Sequence, residues 1–301
     1  MLFGITAMVL VGASWTIYGG VMGKAPRENI DVSVLLFWTF VASAVVSVVC
    51  GAVFQGFPQT SAYGLLIAFS SQFISGFFNY WQLDMMSRAM QKGHNGTVWS
   101  IVQAGFVFPF FMGILFFSVP LTWVRGTALF LAVASVAVSG YSREAGAGKW
   151  LIPALTAFLM TGISQSLSNL PSYYPEAECV SSVWRTAALS SGFIAGAVIR
   201  NIMRLPQFFP DVLASARNVK LWKYCFMLQG IEIIVNYFLL YPGMDSLSRA
   251  SAGAVAYPLM VSCCLLVFDL YSLLVLREKQ SVRQWSALLL CILAVIGLSV
   301  Q

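Results

Sequence analysis

The sequence predicts an all-α integral membrane protein of ten transmembrane helices, built as a 5+5 inverted repeat. Three observations predict it. Only 9% of the 301 residues are charged and 59% are apolar or aromatic, whereas a soluble domain carries about 25% charged residues. Such a chain cannot cover a water-facing surface, so lipid must surround it. Ten apolar runs each approach the roughly 20 residues that a helix needs to cross the hydrocarbon core. The second half of the chain also repeats the first.

The runs are residues 2–22, 33–54, 62–84, 97–117 and 123–141, then 150–170, 180–200, 222–242, 253–276 and 282–300. They do not alternate apolar and polar residues as barrel strands would. Stretches such as 288–299 are apolar on every side. The first run has no basic segment before it and no small-residue cleavage site after it, so it reads as a mature helix rather than a signal peptide. Most connections are short. The exception, 201–221, contains Arg204, Arg217, Lys220, Pro206 and Pro210 and is expected to lie on anionic headgroups.

A shift of 157 residues carries Gln72 onto Gln229, Asn79 onto Asn236, Tyr80 onto Tyr237, Leu83 onto Leu240 and Gly96 onto Gly253, and Lys92 onto Arg249 with its charge kept. A shift of 150 carries Thr6, Ala7, Gly12 and Ser14 onto Thr156, Ala157, Gly162 and Ser164. Residues 1–145 and 146–301 are therefore the two units of one transport domain, joined by the hydrophilic linker 142–149. Five runs per half is an odd number, so the second unit enters the bilayer from the opposite side.

Lys and Arg crowd the connections after odd-numbered runs, among them Lys24, Arg27, Arg88, Lys92, Arg143, Lys149 and Arg200. That bias places those connections in the cytoplasm and both termini outside. The net charge of +6 is thus a topology signal, with no nucleic-acid face. The expected location is the inner, or cytoplasmic, cell membrane.

A charge inside the membrane costs about 2.5–3.5 kcal/mol on an insertion scale, so each one needs a reason. Gln229, Glu232 and Asn236 share one face of the eighth run, and Gln72, Ser75 and Asn79 share the matching face of the third. Such stripes should line a cavity or a helix contact. Glu232 faces only a serine across the repeat. That asymmetry suits a proton carrier or a partner for a cationic group, and a structural hydrogen bond to Arg185 is the alternative. Arg185 could pair with Glu232, bind an anionic group or snorkel to the headgroups, with snorkelling the leading expectation. Asp269, in the ninth run, could face a cytoplasmic vestibule or bond a neighbouring serine.

Trp15 and Tyr18 lie one turn apart in the first run, Trp99 and Gln103 one turn apart in the fourth, and Tyr257 follows Gly253 in the ninth. Aromatic faces with amides suit a sugar or heterocycle. Gln165, Ser168 and Asn169 make the sixth run polar and should face inward. Trp123, Trp150, Trp222 and Trp285 start their runs and read as interfacial belt residues. Gly19/Gly23 and Gly192/Gly196 should allow close helix contact, and Gly105, Pro109 and Pro258 should bend the fourth and ninth runs. Five of the six cysteines sit in apolar runs without metal-ligand spacing, and the lone histidine, His94, sits in a loop. No nucleophile–base motif, phosphate loop or metal cluster is present, so an enzyme, a cofactor and a metal are not expected; a channel is possible, but no ring of like charge or filter sequence supports it.

The segment Leu274-Val-Leu-Arg-Glu-Lys-Gln-Ser-Val-Arg-Gln-Trp285, with its acidic turn at Arg277-Glu278-Lys279 and its entry Gln284-Trp285, leads into an apolar last run. With the entries Ser87–Gly96 and Ser246–Gly253, it resembles the drug/metabolite transporter superfamily, EamA-like, and within it the bacterial glucose/rhamnose uptake branch. The resemblance implies a cavity lined by spans 1, 3, 4, 6, 8 and 9, and gradient-coupled movement of a small metabolite.

The expected function is secondary transport of a small polar metabolite, a sugar or similar neutral ring compound, by a monomer or weak homodimer. The candidate contacts are Trp15, Tyr18, Asn79, Trp99, Gln103, Gln165, Asn236 and Tyr257. Glu232, Arg185 and Asp269 are the candidates for coupling to a proton or sodium ion. An exporter of amino acids or drugs, with Glu232 holding an ammonium group, is the rival within transport. A membrane scaffold or sensor is the rival outside it.

Overall fold

The computed structural model describes residues 1–92, 95–140, 149–202, 205–274 and 282–299. The regular structure among them is entirely helical. The major helices are α1 (Leu2–Lys24), α2 (Val32–Cys50), α3 (Ala62–Met90), α4 (Asn95–Gln103), α5 (Val107–Phe117), α6 (Trp123–Gly140) and α7 (Leu151–Asn169). After the single turn α8 (Pro175–Glu178) come α9 (Ser182–Arg200), α10 (Leu205–Ser215), α11 (Val219–Val235), α12 (Tyr241–Arg249), α13 (Ala256–Leu274) and α14 (Val282–Ser299). Among the described residues, six helical stretches are long and apolar enough to cross a bilayer: Leu2–Glu28, Val32–Gln55, Val98–Phe117, Leu151–Tyr173, Ser182–Arg200 and Val219–Arg249. The chain is a multi-pass membrane protein.

Local chemistry sets the helix ends. Asp31 Oδ1 accepts the backbone N–H groups of Ser33 at 2.7 Å and Val34 at 3.3 Å at the start of α2. Ser61 Oγ accepts that of Gly64 at 3.0 Å to start α3. Asn218 Oδ1 accepts those of Lys220 at 3.0 Å and Leu221 at 3.4 Å to start α11. Each bond satisfies an N–H that has no partner within the helix. Two breaks within helices lie just before a proline. Pro109 has no N–H to offer the preceding turn, and a 3-10 turn, Ala104–Phe106, separates α4 from α5 there. A π-turn, Asn236–Leu240, joins α11 to α12 just before Pro242.

Each long helix packs on several others. α3 lies against α7 and α9, and α1 against α11, α12 and α13. α2 packs on α9 and α11, α7 on α4 and α5, and α6 on α14. Glycine permits the closest of these approaches. A Cβ on Gly76 of α3 would collide with the backbone oxygen of Leu189 in α9, and one on Gly192 of α9 with that of Phe73 in α3. Where α2 crosses α9, Phe40 stacks on Phe193 with ring centroids 3.5 Å apart, and Ser190 donates to Ser43 at 3.1 Å one turn away.

The ends of these helices form two faces. On the face that carries Lys24, Asp84 accepts from Arg88 at 3.0 Å and from Arg200 at 3.1 Å, tying α3 to α9. The opposite face is tied as well. Arg249 pairs with Glu178, Ser61 donates to the Glu176 carboxylate, and Ser181 to Gln55. Thr60 donates to the Glu176 backbone oxygen at 2.8 Å. Phe117 stacks on Tyr173 at 4.1 Å.

Two expectations change, and one connection gains detail. The connection 201–221 holds a helix, α10, which packs on α2 with Phe208 and Val212 buried. Trp38 Nε1 donates to the Val212 carbonyl at 3.1 Å, and Phe37 meets Phe208 edge-on at 5.7 Å. Trp150 is not an interfacial residue, since it is buried in the main apolar core at the start of α7. Trp123 and Trp285 are exposed as expected, at 90% and 51%. Arg185 does not snorkel, because its side chain is fully buried and ion-paired.

Candidate functional site

The centre of the bundle contains a polar cavity of about 90 Å³. Its walls come from α1, α2, α3, α4, α7, α9, α11, α13 and the π-turn. Seven lining positions mark its chemistry: Trp15, Tyr18, Asn79, Trp99, Gln103, Gln165 and Tyr257. Glu232 and Asn236 complete it, so all eight residues expected to contact substrate line one cavity, together with the carboxylate expected to couple.

Glu232 sits on α11 one turn before the π-turn. Tyr18, reaching across from α1, donates to Glu232 Oε2 at 2.6 Å. Asn236 Nδ2 donates to Oε1 at 2.6 Å. Both carboxylate oxygens thus hold a neutral donor, and no described cation forms an ion pair with Glu232. Opposite lies a purely neutral arrangement: Ser75 donates to the Ser164 backbone oxygen at 2.8 Å, and Ser164 to that of Ser75 at 3.0 Å. These reciprocal bonds clamp α3 to α7.

The aromatic wall is formed by Trp15 and Tyr257, whose ring centroids are 6.1 Å apart. Trp99 stands at the end of the cavity nearest the Lys24 face. It also lines a neighbouring vestibule of about 420 Å³ with Gly19, Gly23, Lys24, Arg27, Glu28 and Met90. A Cβ on Gly19 would touch the Trp99 ring at 3.0 Å, so the glycine gives the indole its place. Three buried polar atoms of the wall have no partner among the described residues: Trp99 Nε1, Gln103 Oε1 and Gln165 Oε1. Buried polar atoms are rarely left unpaired, and in a polar cavity water or a ligand is the available partner.

Not all the polar stripe residues face this space. Gln72 is buried elsewhere, where its Nε2 donates to the Ser168 carbonyl at 2.9 Å and its Oε1 accepts from Tyr241 at 2.9 Å. Gln229 is buried but does not line the cavity. Arg185 is outside it as well: Nη1 donates to Asp245 at 3.0 Å, and Nη2 to the carbonyls of Ala177 at 3.2 Å and Glu178 at 2.8 Å. Ser172 donates to the same Asp245 oxygen at 2.6 Å, and the guanidinium lies 5.6 Å from the Tyr241 ring centroid. The expected Arg185–Glu232 pair is therefore replaced by an Arg185–Asp245 pair that fastens α9 to α12. The Asp269 side chain, His94 and the turn Arg277–Lys279 lie outside the described residues.

The sequence reading missed Gln82, Phe40, Leu83 and Leu189 as lining residues. Gln82 had a signal, being three residues past Asn79 on the same helical face. The apolar three had none, because every run is apolar.

A second cleft, of about 610 Å³, opens on the face opposite the vestibule. It shares no lining residue with the central cavity, and the paired Glu178 and Arg249 are in its wall.

The fold has a solved counterpart. A crystal structure described only as that of a protein superposes with a TM-score of 0.68 over 98% of this chain and 96% of the other, at 13% identity. That likeness shows a shared fold. No protein-family model and no curated protein matches the chain.

Proposed function

We propose that this protein is a secondary transporter of a small polar metabolite, working by alternating access with ten membrane-crossing helices in a 5+5 inverted repeat. The observation that carries the reading is the central polar cavity. It holds a carboxylate and unpartnered amides deep in an apolar bundle, it borders a vestibule on one face at Trp99, and it shares no lining residue with the cleft on the other. Intramembrane polar groups of this kind mark substrate and ion pathways.

The repeat has independent support. Single helical turns occupy Ala25–Glu28 and, 150 residues later, Pro175–Glu178. N-caps at Asp31 and Ser181 follow each at the same spacing. A shift of 157 relates the N-caps Ser61 and Asn218 of α3 and α11. The packing matches as well: α3 on α7 corresponds to α11 and α12 on α1, and α4 and α5 on α7 to α13 on α1. Two units of this kind can exchange conformations across a fixed central site. The same architecture is the ground for proposing kinship with EamA-like drug/metabolite transporters.

A neutral ring compound such as a sugar suits the Trp15 and Tyr257 faces and the amides of Gln103, Gln165 and Asn79. One observation favours a second substrate reading. Glu232 is held only by neutral donors among the described residues, so its charge is balanced by a bound proton or by an ammonium group of the substrate. Counterflow in proteoliposomes with labelled pools of sugars and of amino acids tests both. Exchange of a sugar supports the first, exchange of amine-bearing solutes alone supports the second, and no exchange of any solute refutes transport in favour of a scaffold.

A further inference from the structure

We infer that Glu28 and Lys92 form the ion pair that seals the vestibule face when the central cavity opens to the opposite side. The inference rests on the alternating-access reading and names the gate residues it requires.

Glu178 ends the turn α8, Arg249 ends α12, and the two side chains are paired. Arg249 remains 71% exposed. Glu178 is 15% exposed, so the pair sits at the rim with its cation in solvent, where a contact broken in every cycle can be made and unmade. It joins the turn preceding α9 to the last residue of α12, so it bridges the two helices whose ends must separate for that face to open.

Each partner has a counterpart in the first repeat. The residue 150 positions before Glu178 is Glu28, and it also ends a single helical turn, Ala25–Glu28, before an N-cap three residues on. The residue 157 positions before Arg249 is Lys92, two residues beyond the end of α3. Both charges are kept. This is not general among the ion pairs. The counterparts of Arg185 and Asp245 are Leu35 and Arg88, which cannot pair, and Arg88 is already held by Asp84.

In the structure the two counterparts are apart. Glu28 is paired with Lys24, the last residue of α1, at 3.6 Å, and Lys92 is exposed with no described ion pair. Glu28 lines the vestibule, as does Met90, two residues before Lys92. The open and closed faces therefore differ at matched positions: one acid–base pair is made and its repeat-related twin is not. Exchange of the two repeat conformations breaks Glu178–Arg249, releases Glu28 from Lys24 and brings it to Lys92.

Zero-length carbodiimide coupling reads this directly, because it joins a carboxylate to a lysine amine only in contact. In lipid vesicles the unaltered protein should give mainly the Lys24–Glu28 amide, identified by peptide mass spectrometry. Arg249→Gln removes the exposed lock on the opposite face without touching the core. It should raise the Glu28–Lys92 product several-fold and lower the Lys24–Glu28 product. Leu189→Cys, in the cavity wall, reports the open side in the same vesicles through an impermeant maleimide. If Arg249→Gln makes position 189 labelled from the Glu178 face and the 28–92 product does not rise, the gate pair is refuted and alternating access stands. If position 189 is labelled only from the vestibule side in both forms, the reading beneath it fails as well.

Discussion

The Tyr18 hydroxyl lies 2.6 Å from Glu232 Oε2 and joins α1, in the first half of the chain, to α11, in the second. Asn236 occupies the other oxygen from one helical turn away. Protonation of Glu232 would remove an acceptor from one of these bonds, so the charge of one side chain is tied to the contact between α1 and α11. That is the property a coupling site needs. In Glu232→Gln, solute uptake should no longer respond to an imposed pH gradient, while counterflow at equal pH persists within a few-fold. Uptake that still follows the gradient excludes Glu232 as the proton carrier. Tyr18→Phe is the companion change. It removes a charge-assisted bond worth about 1.5–3 kcal/mol, so it should weaken coupling while leaving the carboxylate in place.

Arg185 has a different role, and a variant can show it. The guanidinium serves Asp245 and two backbone carbonyls from a side chain with 0% exposure. Breaking a buried pair by removing one partner costs about 3–5 kcal/mol, because the other charge is left uncompensated. Arg185→Ala should therefore lower thermal stability sharply in detergent. Arg185→Lys should recover little, since an ammonium cannot match the planar fork that reaches three oxygens. A stable Arg185→Ala protein that has lost only transport would assign Arg185 to substrate or ion handling instead.

How far the sequence could be read follows from the range of each interaction. Charge poverty and long apolar runs are properties of segments, and they led to the membrane class and to helices at the expected places. Glu232 and Asn236 are one turn apart, so their shared face was legible. Tyr18 was legible only as an aromatic residue, and its partner 214 residues away was not. Arg185 failed for the same reason: Asp245 stands in a polar segment with no mark of the contact. The Ser75–Ser164 clamp was hidden because serine is common in such helices as a packing residue. Gln72 matched Gln229 by repeat, yet its amide is spent on Ser168 and Tyr241, and the spacing could not reveal that it is consumed.

The contact between α3 and α9 gives the sharpest packing prediction, because two glycines in helix interiors differ in surroundings. Gly76 presses on the backbone of Leu189 and Phe193, whereas nothing lies within 4 Å of a Cβ placed on Gly230 in α11. Alanine in a helix is favoured over glycine by about 0.8–1.0 kcal/mol. At Gly230 that gain meets no opposing term, so Gly230→Ala should leave stability unchanged or raise it slightly. At Gly76 the added methyl meets backbone that cannot rotate away, and overpacking of this kind costs about 1–3 kcal/mol or more. Gly76→Ala should therefore lower the unfolding temperature despite its better helix propensity, and Gly192→Ala, which faces the Phe73 carbonyl across the same contact, should do the same. Thermal unfolding of the three variants in one detergent decides the point. Equal stability of Gly76→Ala and Gly230→Ala would mean that α3 and α9 do not approach as closely as the structure shows.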